Sequence, residues 1–147
     1  MKKILIALAV IFVIFVVAIL FIGRTFYPDN IAETSPDGGK KNLKTRIYTA
    51  DYEMVSNTVK ETIPKLSSWG SNWKLVGSEQ MDDSTEIKAE IPVLMFTDEL
   101  TVKIKKVEDK VQVDVRSNSR VGKSDFGENA RHVNKILSAL DEKFGNQ

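Results

Sequence analysis

Twenty consecutive residues without a charge, Ile4 to Gly23, open this 147-residue chain and dictate most of what it can become. Rich in Ile, Leu, Val and Phe, the run matches a hydrocarbon core ~30 Å thick at ~1.5 Å per residue. Only a helix satisfies its own backbone in that setting. A buried globular helix would alternate with a polar face, and this run has none, with charges at its two ends instead. A secretory signal has an apolar region of about 7 to 15 residues that ends at a small-x-small site. The exit Phe21-Ile22-Gly23-Arg24-Thr25-Phe26 offers no such site. The expectation is an uncleaved single-pass anchor over residues 1–24, with residues 4–23 in the lipid bilayer of the cell membrane. Lys2, Lys3 and the terminal amine outweigh Arg24, which places the N-terminus inside and the remainder outside the cytoplasm.

Of the 21 Lys and Arg residues, Lys2, Lys3 and Arg24 precede Thr25, leaving 18 against all 20 Asp and Glu. A slightly acidic domain of this kind does not hold nucleic acid by counterion release. The chain has no cysteine, so disulfides, thiolate chemistry, Cys-ligated metals and acylation at a lipobox are all excluded. Residues 25–43, with Pro28, Pro36-Asp37-Gly38-Gly39 and Lys40-Lys41, show no apolar period and read as a flexible tether.

From residue 44 to 147 the pattern is that of one α+β domain. Arg46 to Thr49 suit a short strand. Asp51 is placed to cap a helix whose apolar positions Tyr52, Val55, Val59, Ile63 and Leu66 recur at threes and fours. Pro64 should disrupt its last turn. Four runs of period two follow. Trp73, Leu75 and Gly77 begin the first, and Thr85, Ile87, Ala89 and Ile91 form the second. Leu100, Val102 and Ile104 form the third, and Val111, Val113 and Val115 the fourth. Met81 to Ser84 and Glu108 to Lys110 read as tight turns, and Pro92 to Asp98 as a longer crossover or bulged bend. Phe126, Ala130, Val133, Leu137, Leu140 and Phe144 then mark a final helix, with Asp125 and Glu128 as a capping-box-like start. The expected order is β-α-β-β-β-β-α, an antiparallel sheet with one wet face and two helices on the other.

Between the last strand and the last helix, Arg116, Ser119, Arg120, Lys123, Ser124, Asn129 and Arg131 gather cations and polar groups at a helix N-terminus, where free N–H groups and the helix dipole favour an anion. The same residues also read as a structural corner. Gly122 and Gly127 would turn the chain there, Asp125 would cap the helix, and Arg120 or Arg131 would neutralise Asp125 and Glu128.

The stretch Ser119-Arg120-Val121-Gly122-Lys123-Ser124-Asp125-Phe126-Gly127, with Asn129 and Arg131 behind it, resembles the signature of the bacterial and plastid family called domain of unknown function 1499. Phe96-Thr97-Asp98-Glu99-Leu100 resembles that family's strand-opening pattern, and the resemblance covers about residues 44–140. It implies no activity, but it directs attention to the corner from Ser119 to Arg131. The chain departs from the pattern in lacking a Cys-containing opening segment and in carrying Ala130 and His132 where basic residues are common.

Other residues are read more plainly. His132, the only histidine, supports no His-based metal cluster and is read as a surface or boundary residue beside the helix stripe. Asp82-Asp83 and Asp98-Glu99 lack the spacing of a calcium loop and read as turn residues. Trp73 suits core packing, while Trp69 suits either the core, a groove or a membrane interface. Neither catalytic residues, cofactor nor metal is assigned. The expected function is a non-enzymatic binding or scaffold module of the cell envelope, contacting an anionic small molecule, lipid or envelope protein through the corner. Its rivals are an envelope enzyme acting on a lipid or cell-wall anion, with Asp125 or Asp98 as acid or base, and a lipid carrier with a groove between helices and sheet.

Overall fold

The computed structural model describes residues 2–26 and 28–145. Met1, Tyr27, Asn146 and Gln147, which belong to the expected anchor, tether and domain, lie outside the described residues. The apolar run is one helix, α1 (Lys2–Phe26), long and apolar enough to cross a membrane. Gly23 is its one buried residue among those described.

The remainder is α+β, as the sequence patterning predicts. A short strand β1 (Ile31–Glu33) and a second, β2 (Arg46–Tyr48), precede α2 (Tyr52–Thr62). The Asp51 carboxylate accepts from the Met54 N–H at 3.0 Å, which is the predicted N-cap. Pro64 falls in a 3₁₀ turn over Ile63–Lys65, where the α-helix ends. A two-residue ladder, β3 (Ser67–Ser68) with β4 (Ser71–Asn72), leads into β5 (Lys74–Gln80), β6 (Ser84–Val93), β7 (Phe96–Val107) and β8 (Lys110–Ser119). The chain closes with α3 (Glu128–Phe144).

The sheet is antiparallel in the order β5-β6-β7-β8, and β1 and β2 both pair with the outer edge of β8. Ile87, Ala89 and Ile91 of β6, Leu100, Val102 and Ile104 of β7, and Val111, Val113 and Val115 of β8 are all buried. They meet Val55 and Val59 from α2, Ile63 from the 3₁₀ turn after it, and Val133, Ile136, Leu137 and Leu140 from α3. Each fully buried Val, Ile or Leu in this layer contributes roughly 1.5–3 kcal/mol. At its C-terminal end α3 is pinned to β2, because Asp141 accepts from the Tyr48 hydroxyl at 2.8 Å and from Arg46 Nε at 3.0 Å.

Three details differ from the sequence expectation. Residues 31–45 are structured rather than a tether. β1 pairs with residues 116–118 of β8, Ala32 and Leu43 are buried, and the hydroxyls of Thr34 and Thr45 both donate to Asp114. Backbone ladder bonds and side-chain acceptors hold this stretch, so an apolar period is not needed. The bend expected over Pro92 to Asp98 is a tight hairpin with Leu94 and Met95 at its tip and Val93 opposite Phe96. Pro92 is tolerated because β5 stops at Lys74 opposite Glu90, so among the described residues no strand pairs with that side there. Finally, β5 is exposed throughout, with a bulge between Leu75 and Gly77, because the helices cover only the inner strands.

Candidate functional site

Alternation along β8 carries its inward face past Val115 to Ser117 and Ser119, and alternation along β7 puts Asp98 on that same face ahead of Leu100. Asp98 and Ser119 are direct cross-strand partners. On α3, Asn129 and His132 share the buried stripe of Val133 and Ile136. The end of the core near α3's N-terminus is therefore polar and almost closed to solvent: Asp98 is 3 % exposed, His132 1 %, Ser117 and Asn129 0 %, and of these Asp98 alone borders the cleft described below.

Asn129 organises this cluster. Its side-chain amide donates to Ser119 Oγ and to the Asn30 carbonyl, both at 2.9 Å. Its side-chain oxygen accepts from Ser117 Oγ at 2.6 Å, and its backbone N–H donates to Asp125 at 2.8 Å. The other Asp125 oxygen accepts from the Gly127 N–H at 2.8 Å. Gly127, at φ +80°, takes the left-handed conformation that lets the chain turn into the helix. Phe126 beside it adopts φ +52° without that freedom.

His132 stands edge-on to Trp73, with ring centroids 5.6 Å apart. Its Nδ1 lies 3.5 Å from Ser117 Oγ and 3.6 Å from Asp98 Oδ2. Its Nε2 is 3.3 Å from Glu128 Oε1 but makes no directed hydrogen bond. Burial pushes the imidazole down to about 4, against the pull of Glu128, so it is neutral at pH 7. Burial holds the Asp98 carboxyl above the usual carboxylate range. The Ser119 hydroxyl opposes that shift, and the charges of Asp125 and Glu128 add to it.

Outside this floor lies an open cleft of about 570 Å³. Trp69, Val93, Leu94, Phe96, Val121 and Phe126 wall it, and Asp98, Ser119, Asp125, Glu128 and Arg131 supply its polar groups. The Trp69 indole N–H donates to Glu128 at 3.2 Å, and Arg131 Nε donates to the other Glu128 oxygen at 2.9 Å. Leu94 is 73 % and Met95 86 % exposed at the tip of the adjoining hairpin. The same end meets α1. Ser124 Oγ donates to the Gly23 carbonyl at 3.1 Å, and the Phe126 ring lies against Gly23.

The four cations of the expected anion site do not converge. Arg116 projects from the wet face of β8. Arg120 is on that face too, with Nε 2.9 Å from Glu99 and a terminal nitrogen 2.5 Å from Glu90. Lys123 is exposed near the end of α1. Arg131 is held by Glu128. Ser119 and Asn129 instead join the buried cluster, Ser124 reaches α1, and Gly122 offers its carbonyl to the Asn30 amide at 2.6 Å. Period two separates Asp98, facing inward, from Glu99, facing out, so they do not act as a pair. The surface or boundary position expected for His132 is corrected to the core, and Ser117 belongs to the cluster although the spacing did not single it out. Extending the β8 alternation by two steps, and the α3 stripe back to Asn129, would have found both. Among the described residues no group of three or more His, Asp or Glu is placed to hold a metal ion.

The profile of a family described as protein of unknown function (DUF1499) matches residues 27–140, which takes in β1 through most of α3 and every member of the cluster. No curated protein matches the chain.

Proposed function

From the premise that this chain belongs to the DUF1499 family, we propose that it is a membrane-anchored, non-enzymatic binding module of the cell envelope whose cleft end lies against the bilayer surface. In this reading α1 crosses the membrane with the N-terminus inside and the domain outside the cytoplasm. One observation carries it: the exposed apolar groups Leu94, Met95, Phe96, Val121 and Phe126 gather at the end of the domain that touches the last turn of α1. Residue 23 is where the apolar run ends, so that end sits at the level of the lipid head groups. An apolar patch there is in contact with lipid rather than wasted on water. Trp69, amphipathic and at the cleft mouth, suits the same interface. A binding rather than a hydrolytic role is supported by the burial of the Ser117 hydroxyl and the His132 ring, which no substrate in the cleft can touch.

The chain is free of cysteine, so single labels test this directly. Met95→Cys and, at the far end of β7, Asp109→Cys carry an environment-sensitive dye in the full chain reconstituted in nanodiscs. The two turns are about 35 Å apart at ~3.3 Å per residue. Lipids bearing a quencher near the head group should quench the first label and spare the second. Equal, weak quenching of both would sink the reading.

A further inference from the structure

We infer that the cleft binds a lipid drawn from the adjoining leaflet whose head group donates hydrogen bonds and carries no negative charge. This deepens the bilayer-apposed reading and rests on it. The volume, about 570 Å³, lies within the range of small-ligand sites. Its walls are apolar and continuous with the exposed hairpin tip and with Phe126, which packs on the end of α1. A hydrocarbon chain can pass from bilayer to cleft without crossing water.

The polar groups decide the head. Asp98, Asp125 and Glu128 line the cleft, against Arg131 as its one cation among the described residues. Arg131 is already engaged by Glu128. Ser119 accepts from Asn129, and Asp125 spends one bond per oxygen on the backbone, so spare capacity here is overwhelmingly acceptor capacity. Asp98, more than nine-tenths buried, presents a carboxyl at the back. A hydroxyl or an ammonium group finds partners on this floor. A phosphate or carboxylate meets three acids, and like-charge juxtaposition of this sort is strongly unfavourable.

The test uses the full-length protein in nanodiscs, with 1-monooleoylglycerol, oleylamine and lysophosphatidic acid of the same chain as probes. Binding is counted by native mass spectrometry and followed by the change in tryptophan emission, to which the exposed Trp69 at the cleft responds while the buried Trp73 gives a constant background. The expected result is one molecule of monooleoylglycerol or oleylamine per protein, with lysophosphatidic acid at least about tenfold weaker. Val121→Glu, at an exposed wall position, should abolish the bound species while the far-ultraviolet spectrum is retained. Asp98→Asn should narrow the discrimination against lysophosphatidic acid. Equal binding of all three probes, or binding indifferent to Val121→Glu, would overturn the inference. So would an empty cleft in a protein whose Met95→Cys label is quenched by lipid, and that outcome leaves the bilayer-apposed reading intact. Loss of the quenching itself overturns both.

Discussion

The ring of Phe126 occupies the space that a side chain on Gly23 would need. A Cβ built on Gly23 would fall 2.5 Å from Cζ of that ring, closer than packed atoms approach. Glycine at this position lets a domain residue close directly onto the backbone of the long helix. Gly23→Val should therefore drive the Phe126 ring off the helix and loosen the hold of the domain on α1. With spin labels on Leu20→Cys and Asp109→Cys, the distance distribution in nanodiscs should broaden. Adding Phe126→Ala, which vacates the space, should narrow it again. An unchanged distribution in Gly23→Val would show that the contact does not set the orientation.

Asn129 makes four hydrogen bonds while fully buried. Asn129→Ala takes the closest partner from the fully buried Ser117 hydroxyl and one partner each from the Ser119 hydroxyl and the Asn30 carbonyl, which keep others, and a buried group stranded in this way costs about 1–3 kcal/mol. The expected loss is roughly 2–4 kcal/mol in urea unfolding of the full chain, with little change in m-value. A loss below about 1 kcal/mol would mean that water replaces the amide.

Arg120 belongs to an exposed network with Glu90 and Glu99, and such pairs add little to stability. Arg120→Ala should leave Tm within the range of ordinary surface substitutions and should not alter occupancy of the cleft. A large fall in either would restore the arginine to the site.

The pH dependence has a defined sign. His132 titrates near 4 when folded and at the ordinary histidine value near 6.5 when unfolded, so between these the unfolded chain binds the extra proton. Stability is lost as pH falls from about 6.5 towards 4. Asp98, raised by burial, works in the opposite direction, since the folded state then keeps its proton longer. The facing charges are Asp98, Asp125 and Glu128 with Arg131 and Lys135. Tm should drop between pH 7 and pH 4.5. The drop should shrink in His132→Gln and deepen in Asp98→Asn, which should itself be the more stable protein at pH 7. Identical pH profiles for all three proteins would show that neither group controls the transition.

Periodicity made much of this architecture legible. Ile4 to Gly23, the Asp51 cap, the stripe of α3 and the alternating runs of β6, β7 and β8 each state their structure in the spacing of apolar residues. Where that signal is absent the reading fails. β1 has three residues and one buried side chain, Ala32, too little to show a period. Phe126 fits the α3 stripe by spacing, yet the helix begins at Glu128 because Asp125 and Gly127 turn the chain first. The cluster escaped for a different reason. Asp98, Ser117, Asn129 and His132 interrupt apolar registers on three separate elements, and only the packing of α3 across the end of the sheet shows that the interruptions coincide. Counting cations in one loop likewise ignored the pleat, which sends Arg116 and Arg120 to the wet face.

Asn30 donates to Gly122 and accepts from Asn129 and from the Ser119 N–H, and β1 begins at the next residue. Through these bonds Asn30 ties the residues just ahead of the sheet to the floor of the cleft. Tilt or rotation of α1, as when a bilayer thins or stretches, would therefore bear on the domain at two places, on Ser124 and Phe126 where they touch Gly23 and on Asn129 through Asn30.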